Sequence, residues 1–173
     1  MRTPSPGFCR KRERWCELAE KLIRQIRFEI GQIERLLEEY ADLVARVQER
    51  PADSVEKAAL ASVLQSFYGG IESMFLRVAK RLDRQAPTGP EWHRELLAEM
   101  TRETAIRARV VSPEMAARLR PYLGFRHLEH HIYPFLLDWN LQGPLVAGLR
   151  AMWSDVRQEL EAFVQSLQAS EPE

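Results

Sequence analysis

The sequence predicts an all-α fold. Three observations carry that prediction: apolar residues recur at intervals of three and four over most of the chain, strand-like alternation is absent, and Leu, Ala, Glu and Arg dominate the composition. At 173 residues with 45% hydrophobic side chains, the chain can bury one substantial core. A single helical domain is therefore expected over residues 8–168, between a loose tail at 1–7 and a fraying end at 169–173.

The elements follow from local patterns. Residues 1–7 hold two prolines and a glycine and cannot form a regular element. From Phe8 to Arg50, Trp15, Ala19, Leu22, Ile26, Ile30, Ile33, Leu37, Tyr40, Val44 and Val47 step at helical, nearly heptad spacing. A straight helix of that length would span about 60 Å, so it should bend near Gly31 or project one end onto a partner. Pro51 closes it, and Asp53-Ser54-Val55-Glu56 has the spacing of a capping box. The helix so opened should run to about Gln85, with Val55, Ala59, Val63, Phe67, Met74, Val78 and Leu82 inward. Its Gly69-Gly70 pair costs about 1 kcal/mol per Gly relative to Ala and marks close approach of another backbone or a ligand, with close helix packing the favoured reading.

The stretch Ala86-Pro87-Thr88-Gly89-Pro90 is a break. A short helix from Glu91 to Thr104 should bury Trp92, Leu96, Leu97 and Met100; His93 beside Trp92 is read as a surface or helix-start residue, ahead of the alternative that it contacts a ligand. Ser112 is placed to cap the next helix, with Pro113 at its first position, where a missing N–H costs nothing. That helix contains Pro121 and carries the histidine-rich stretch to its end near Pro134. A last helix from Pro144 to Gln168 should bury Leu145, Leu149, Met152, Trp153, Val156, Leu160, Phe163 and Leu167.

The formal net charge is zero, so no global field steers the protein to nucleic acid or to a membrane. Any anion site must be local, and Thr101–His131 holds six Arg against three Glu. Cys9 and Cys16 lie about 10 Å apart along a helical pattern, too far for a disulfide, and read as reduced thiols. No apolar run approaches the roughly 20 residues of a membrane span, and the basic start lacks the apolar core of a signal peptide. A cytoplasmic location is expected.

Three of the four histidines fall between 127 and 131, in Phe125-Arg126-His127-Leu128-Glu129-His130-His131-Ile132-Tyr133-Pro134. On a helix, Phe125, Leu128, Ile132 and Leu136 form a core stripe, while Arg126, His130 and Tyr133 lie opposite and His127 and His131 flank them. Leu119 and Leu123 project on the polar side, which suggests a second buried contact, most simply another protomer. Histidine exchanges protons near neutrality, and arginine holds a phosphate through a planar fork of donors. Such a pair suffices for RNA cleavage by its own 2′-hydroxyl, with no metal and no cofactor. Arg126 and His131 diverge by about 140° on a regular helix, and two copies related by a dyad would bring both kinds of residue into one cleft.

Arg126, four residues, His131, one residue, Tyr133 resembles the Arg-x-x-x-x-His-x-Tyr motif of the HepT-like ribonuclease toxins in the HEPN superfamily. Three segments resemble blocks of those proteins in order: SFYGGIESMFLRVAKRLD (66–83), GPEWHRELLAEM (89–100) and LGFRHLEHHIYPFLLDW (123–139). The resemblance covers roughly residues 53–150. It implies a HEPN-like antiparallel helical bundle with a long N-terminal helix, forming a homodimer whose motifs meet at the interface and cleave RNA without metal. It also implies a MntA-like nucleotidyltransferase antitoxin that adds AMP to the motif tyrosine. Arg126 would bind the phosphate and stabilise the transition state, His131 would act as acid/base, and Tyr133 would accept AMP. His127 would orient the scissile phosphate, and His130 would be auxiliary or an interface residue.

Three other readings remain open at this level. The cluster His127, His130 and His131 has spacings that can chelate a metal, although no Cys or carboxylate cluster accompanies it. The chain can be a catalytically inactive HEPN protein that binds a nucleotidyltransferase or RNA, or a helical adaptor with incidental histidines.

Overall fold

A computed structural model of the chain describes residues 6–129 and 138–169, with backbone alone over 6–13 and 127–129. Among the described residues there are six α-helices, α1 (Pro6–Glu39), α2 (Ala41–Glu49), α3 (Ser54–Val78), α4 (Trp92–Met100), α5 (Pro113–Glu129) and α6 (Trp139–Ala169). A π-helical turn, Ala79–Asp83, extends α3. β pairing among these residues amounts to an isolated bridge between Thr104 and Arg107, so the all-α expectation holds. No described helix is long and apolar enough to cross a membrane.

Helix α3 is central because its sequence is apolar on nearly every side. Leu60, Ala61, Val63, Leu64, Phe67, Tyr68, Ile71, Met74, Phe75 and Val78 are all buried, and α1, α4, α5 and α6 pack around them. Each large apolar side chain removed from water contributes about 1.5–3 kcal/mol. Three helices meet at Phe67, whose ring lies 5.4 Å from that of Tyr122 on α5 and 6.2 Å, edge on, from that of Trp153 on α6. The start of α3 is the expected capping box: Asp53 Oδ1 accepts from the Val55 and Glu56 amides at 2.9 Å, and Glu56 accepts from the Asp53 amide at 3.1 Å. Arg50 grips the same Glu56 carboxylate at 2.6 and 2.9 Å. Val55, expected inward, is 75% exposed. The buried phase runs through Glu56 and Leu60, and Val55 stands about 100° away from it.

Helix α1 buries Ala19, Leu22, Ile26, Ile30, Ile33 and Leu37 against α3 and α6, as its spacing predicts. The bend falls at Tyr40, whose φ and ψ are −101° and 10°, and not at Gly31, which faces open space. Near the Tyr40 bend, Arg150 of α6 donates from Nη2 to the Leu37 carbonyl at 3.1 Å, satisfying an acceptor near the end of α1. A Cβ on Gly70 would stand 3.0 Å from the Ile33 side chain, whereas one on Gly69 would meet nothing. Of the pair, Gly70 is therefore the one that α1 approaches closely.

The α4–α5 connection is pinned by Arg107, which is buried. It grips Asp83 on the π-helical turn through Nε and Nη2 at 2.7–3.0 Å and donates to the carbonyls of Arg102 and Ala108. Ser112 caps α5 by accepting from the Met115 amide at 3.1 Å and ties it to α6 by donating to Glu159 at 2.7 Å. Helix α5 packs on α3, α4 and α6. Leu119 and Leu123 are buried in the chain's own core, so the second apolar stripe needs no other protomer to cover it. Helix α6 begins five residues before the expected Pro144, because Asp138 caps it by accepting from the Asn140 amide at 2.9 Å. Pro144 rides in the second turn, where one backbone bond is lost.

The two glycines of α3 should separate in their response to substitution. Gly69→Ala should stabilise the protein by about 0.5–1 kcal/mol, since a helical glycine in open space is replaced by the best helix former. Gly70→Val should destabilise it by about 1–3 kcal/mol through overpacking on Ile33. Urea-unfolding midpoints of the two variants check this.

Candidate functional site

Residue 72 is where the apolar pattern of α3 breaks. Glu72 is 4% exposed and lies one turn beyond Tyr68 on the same face. A carboxylate taken out of water at such a place must be paired and hydrogen-bonded. Two elements supply the partners. From α5, Arg126 donates through Nη1 to Glu72 Oε2 at 2.7 Å. From the first turn of α4, His93 Nδ1 is hydrogen-bonded to Glu72 Oε1.

The proton in the His93–Glu72 contact belongs on Nδ1, because an ionised carboxylate can only accept. That assignment fixes the tautomer of the ring by its hydrogen-bond partner. Arg126 Nη1 also lies 3.2 Å from His93 Nδ1; with Nδ1 donating to Glu72, this is close approach of two groups sharing one carboxylate. The side chains of Glu72, His93 and Arg126 are 5%, 15% and 21% exposed. The Trp92 ring lies against His93, with centroids 3.5 Å apart. Tyr68 completes the cluster. Burial pushes its phenol well above the ordinary value of 10, the Glu72 carboxylate adds to that shift, and Arg126 opposes it.

The site is thus a buried carboxylate holding one guanidinium and one imidazole, with Arg126 presented at the rim of α5. Both described contacts of the guanidinium are made at Nη1, and the rest of its planar fork is the part suited to an anion. His93 also borders an open groove of about 610 Å³ between α4 and α5. Among the described residues, no group of three or more His, Cys, Asp or Glu is arranged to hold a metal ion.

Of the residues singled out in the sequence, Arg126 is brought into this cluster. His127 lies on α5 with its side chain outside the described residues, and His130, His131 and Tyr133 lie outside them altogether. Sequence reasoning missed two members. His93 faces inward and is hydrogen-bonded to Glu72, where a surface or helix-start position was expected ahead of a ligand contact, and Glu72 was not singled out. Both left a signal. His93, Leu96, Leu97 and Met100 share the buried phase of α4, and Glu72 is a carboxylate in the middle of α3, beside the buried Ile71, Met74 and Phe75.

A family model described as HepT-like protein matches residues 59–167. That span includes Glu72, His93 and Arg126 and leaves α1 and α2 outside. No curated protein and no solved structure matches the chain.

Removing the buried carboxylate should leave two polar partners without their acceptor. Glu72→Ala is expected to destabilise the fold by about 3–5 kcal/mol, the range for breaking a buried pair, read by chemical denaturation at neutral pH. A second expectation concerns alkaline pH. Burial raises both the Tyr68 and the Tyr122 phenol, so the unfolded chain loses these protons first. Stability should be unaffected by these two groups below pH 10 and should fall as pH rises beyond it. Phenolate absorbance should appear for Tyr68 together with alkaline unfolding, ahead of any ionisation in the folded state.

Proposed function

The chain belongs to the HepT-like family of HEPN-type proteins, and from that membership we propose that it is a metal-independent endoribonuclease, the toxin of a toxin–antitoxin pair. The observation that supports this reading most is the seat of Arg126. A buried carboxylate on the central helix holds the guanidinium at Nη1 and fixes its direction, which is what a phosphate-binding arginine requires.

The chemistry runs through a 2′-hydroxyl. His131 of one protomer takes the 2′ proton as the 2′ oxygen forms a bond to phosphorus. Arg126 stabilises the charge on the non-bridging oxygens. The bond from phosphorus to the 5′ oxygen breaks, and the leaving oxygen receives a proton from a second histidine, giving a 2′,3′-cyclic phosphate and a 5′-hydroxyl end. A homodimer provides that second histidine as the partner's copy of the same motif, which also removes the angular divergence of Arg126 and His131 along one helix. His127 orients the phosphate and His130 is auxiliary. Tyr133 is the acceptor of AMP from a MntA-like nucleotidyltransferase antitoxin, which silences the enzyme by placing a bulky anion in the cleft.

The test is RNA cleavage by purified protein in excess EDTA, with mass spectrometry establishing that Tyr133 carries no AMP. The expected result is cleavage that leaves a 2′,3′-cyclic phosphate and falls at least about 100-fold in His131→Ala, the scale of a lost acid/base. Cleavage abolished by the chelator, or retained in His131→Ala, would contradict the mechanism. An unmodified protein that cuts no RNA would leave a binding role for the same site.

A further inference from the structure

We propose that the groove between α4 and α5 holds the single-stranded RNA segment leading to the scissile phosphate, with Arg120 on a backbone phosphate and a base over the exposed apolar surface at Ala98, Pro113 and Gly124. This inference rests on the ribonuclease reading and deepens it by assigning a substrate path.

The argument starts from charge. The protein has no net charge, so an RNA site needs a local excess of cations. Of the six arginines between Thr101 and His131, Arg107 is spent on Asp83, Arg118 on Asp155 at 2.8 Å and Arg126 on Glu72. Arg102, Arg109 and Arg120 have no acidic partner among the described residues and are exposed, and of these three Arg120 lines the groove. Arg94 on the opposite wall is compensated by Glu91 at 3.1 Å. The groove therefore carries one uncompensated positive charge, and a phosphate neutralises it.

Shape agrees with charge. The groove has about 610 Å³ of space, within the range that takes a small organic ligand. Its floor mixes apolar side chains with Gly124, which leaves room over the helix for a flat group. One end is bordered by His93, the ring that shares Glu72 with Arg126. Arg120 precedes Arg126 by about 9 Å of rise along α5 and by about 120° around it, so a strand leaving the groove at Arg120 must wrap around α5 to reach Arg126. A base lying on apolar carbons beside a phosphate held by arginine is a sequence-tolerant way to bind single strands.

The experiment uses the full chain and a fluorescein-labelled single-stranded oligoribonucleotide. Binding is followed by anisotropy in the His131→Ala background, and cleavage in the otherwise unaltered protein. Arg120→Ala should weaken binding about tenfold, and the log–log salt dependence should become shallower by about 0.7, the loss of one phosphate contact to a single strand. In the cleavage assay the same change should raise KM with kcat nearly unchanged. Ala98→Phe, at an exposed position in the groove wall, should weaken binding by filling the slot without removing a charge, and so without altering the salt slope. Circular dichroism confirms that both variants fold. Unchanged binding and KM in both variants, with cleavage by the unaltered protein intact, would overturn the groove and leave the ribonuclease reading standing. A changed oligomeric state in size-exclusion chromatography with unchanged RNA affinity would instead make the groove a protein interface. An unaltered protein that neither binds nor cuts RNA would overturn both readings.

Discussion

A carboxylate buried in the middle of the central helix sets the terms for this structure. Glu72 sits on α3, which the rest of the protein surrounds, and a charge in that place costs several kcal/mol unless it is paired. His93 and Arg126 meet the requirement from two different helices. The ion pair therefore does more than hold a side chain; it fixes where α4 and α5 meet α3. The Arg107–Asp83 contact acts in the same way one level out, tying the α4–α5 connection to the end of α3. Polar fastenings decide which faces meet, and apolar burial supplies most of the stability.

Helices α1 and α2 lie outside the residues matched by the family, yet α1 is part of the core. Ile33 lies against Gly70, and Leu22, Ile26 and Leu37 are buried with it. The sequence left open whether this segment reaches outward to a partner or stays inside. From Ala19 to Leu37 it stays inside, covering a face of α3 that would otherwise be exposed. Because it packs on the helix that carries Glu72, changes in α1 should reach the site through α3.

Much of this was legible in the residues. The helical periodicity placed nearly every core position of α1 and α6, and the Asp53–Glu56 and Ser112–Pro113 patterns marked two helix starts, since capping is a local contest for backbone hydrogen bonds. The bend at Tyr40 was not legible, because Gly31 is the residue that propensity marks while the Leu37 carbonyl is satisfied by Arg150 from more than a hundred positions away. The early start of α6 was hidden by the break that Pro144 suggests, though Asp138 was available as a cap. At the site, Arg126 was found through its motif. Glu72 and His93 were overlooked because each acquires its role only when three helices converge, even though both lie in segments that carried the family resemblance.

The central claim is that Glu72 positions Arg126 for chemistry. It is tested most directly by the steady-state kinetics of RNA cleavage by Glu72→Gln, which keeps the volume but removes the charge and replaces one of the two acceptor oxygens with an NH2 donor. The account predicts a kcat lower by about 10- to 100-fold, the cost of a misplaced transition-state contact, in a protein whose circular dichroism matches the unaltered chain. An unchanged kcat in a folded Glu72→Gln protein would contradict it, reducing the pair to a structural fastening and leaving Arg126 without the support its assigned role requires.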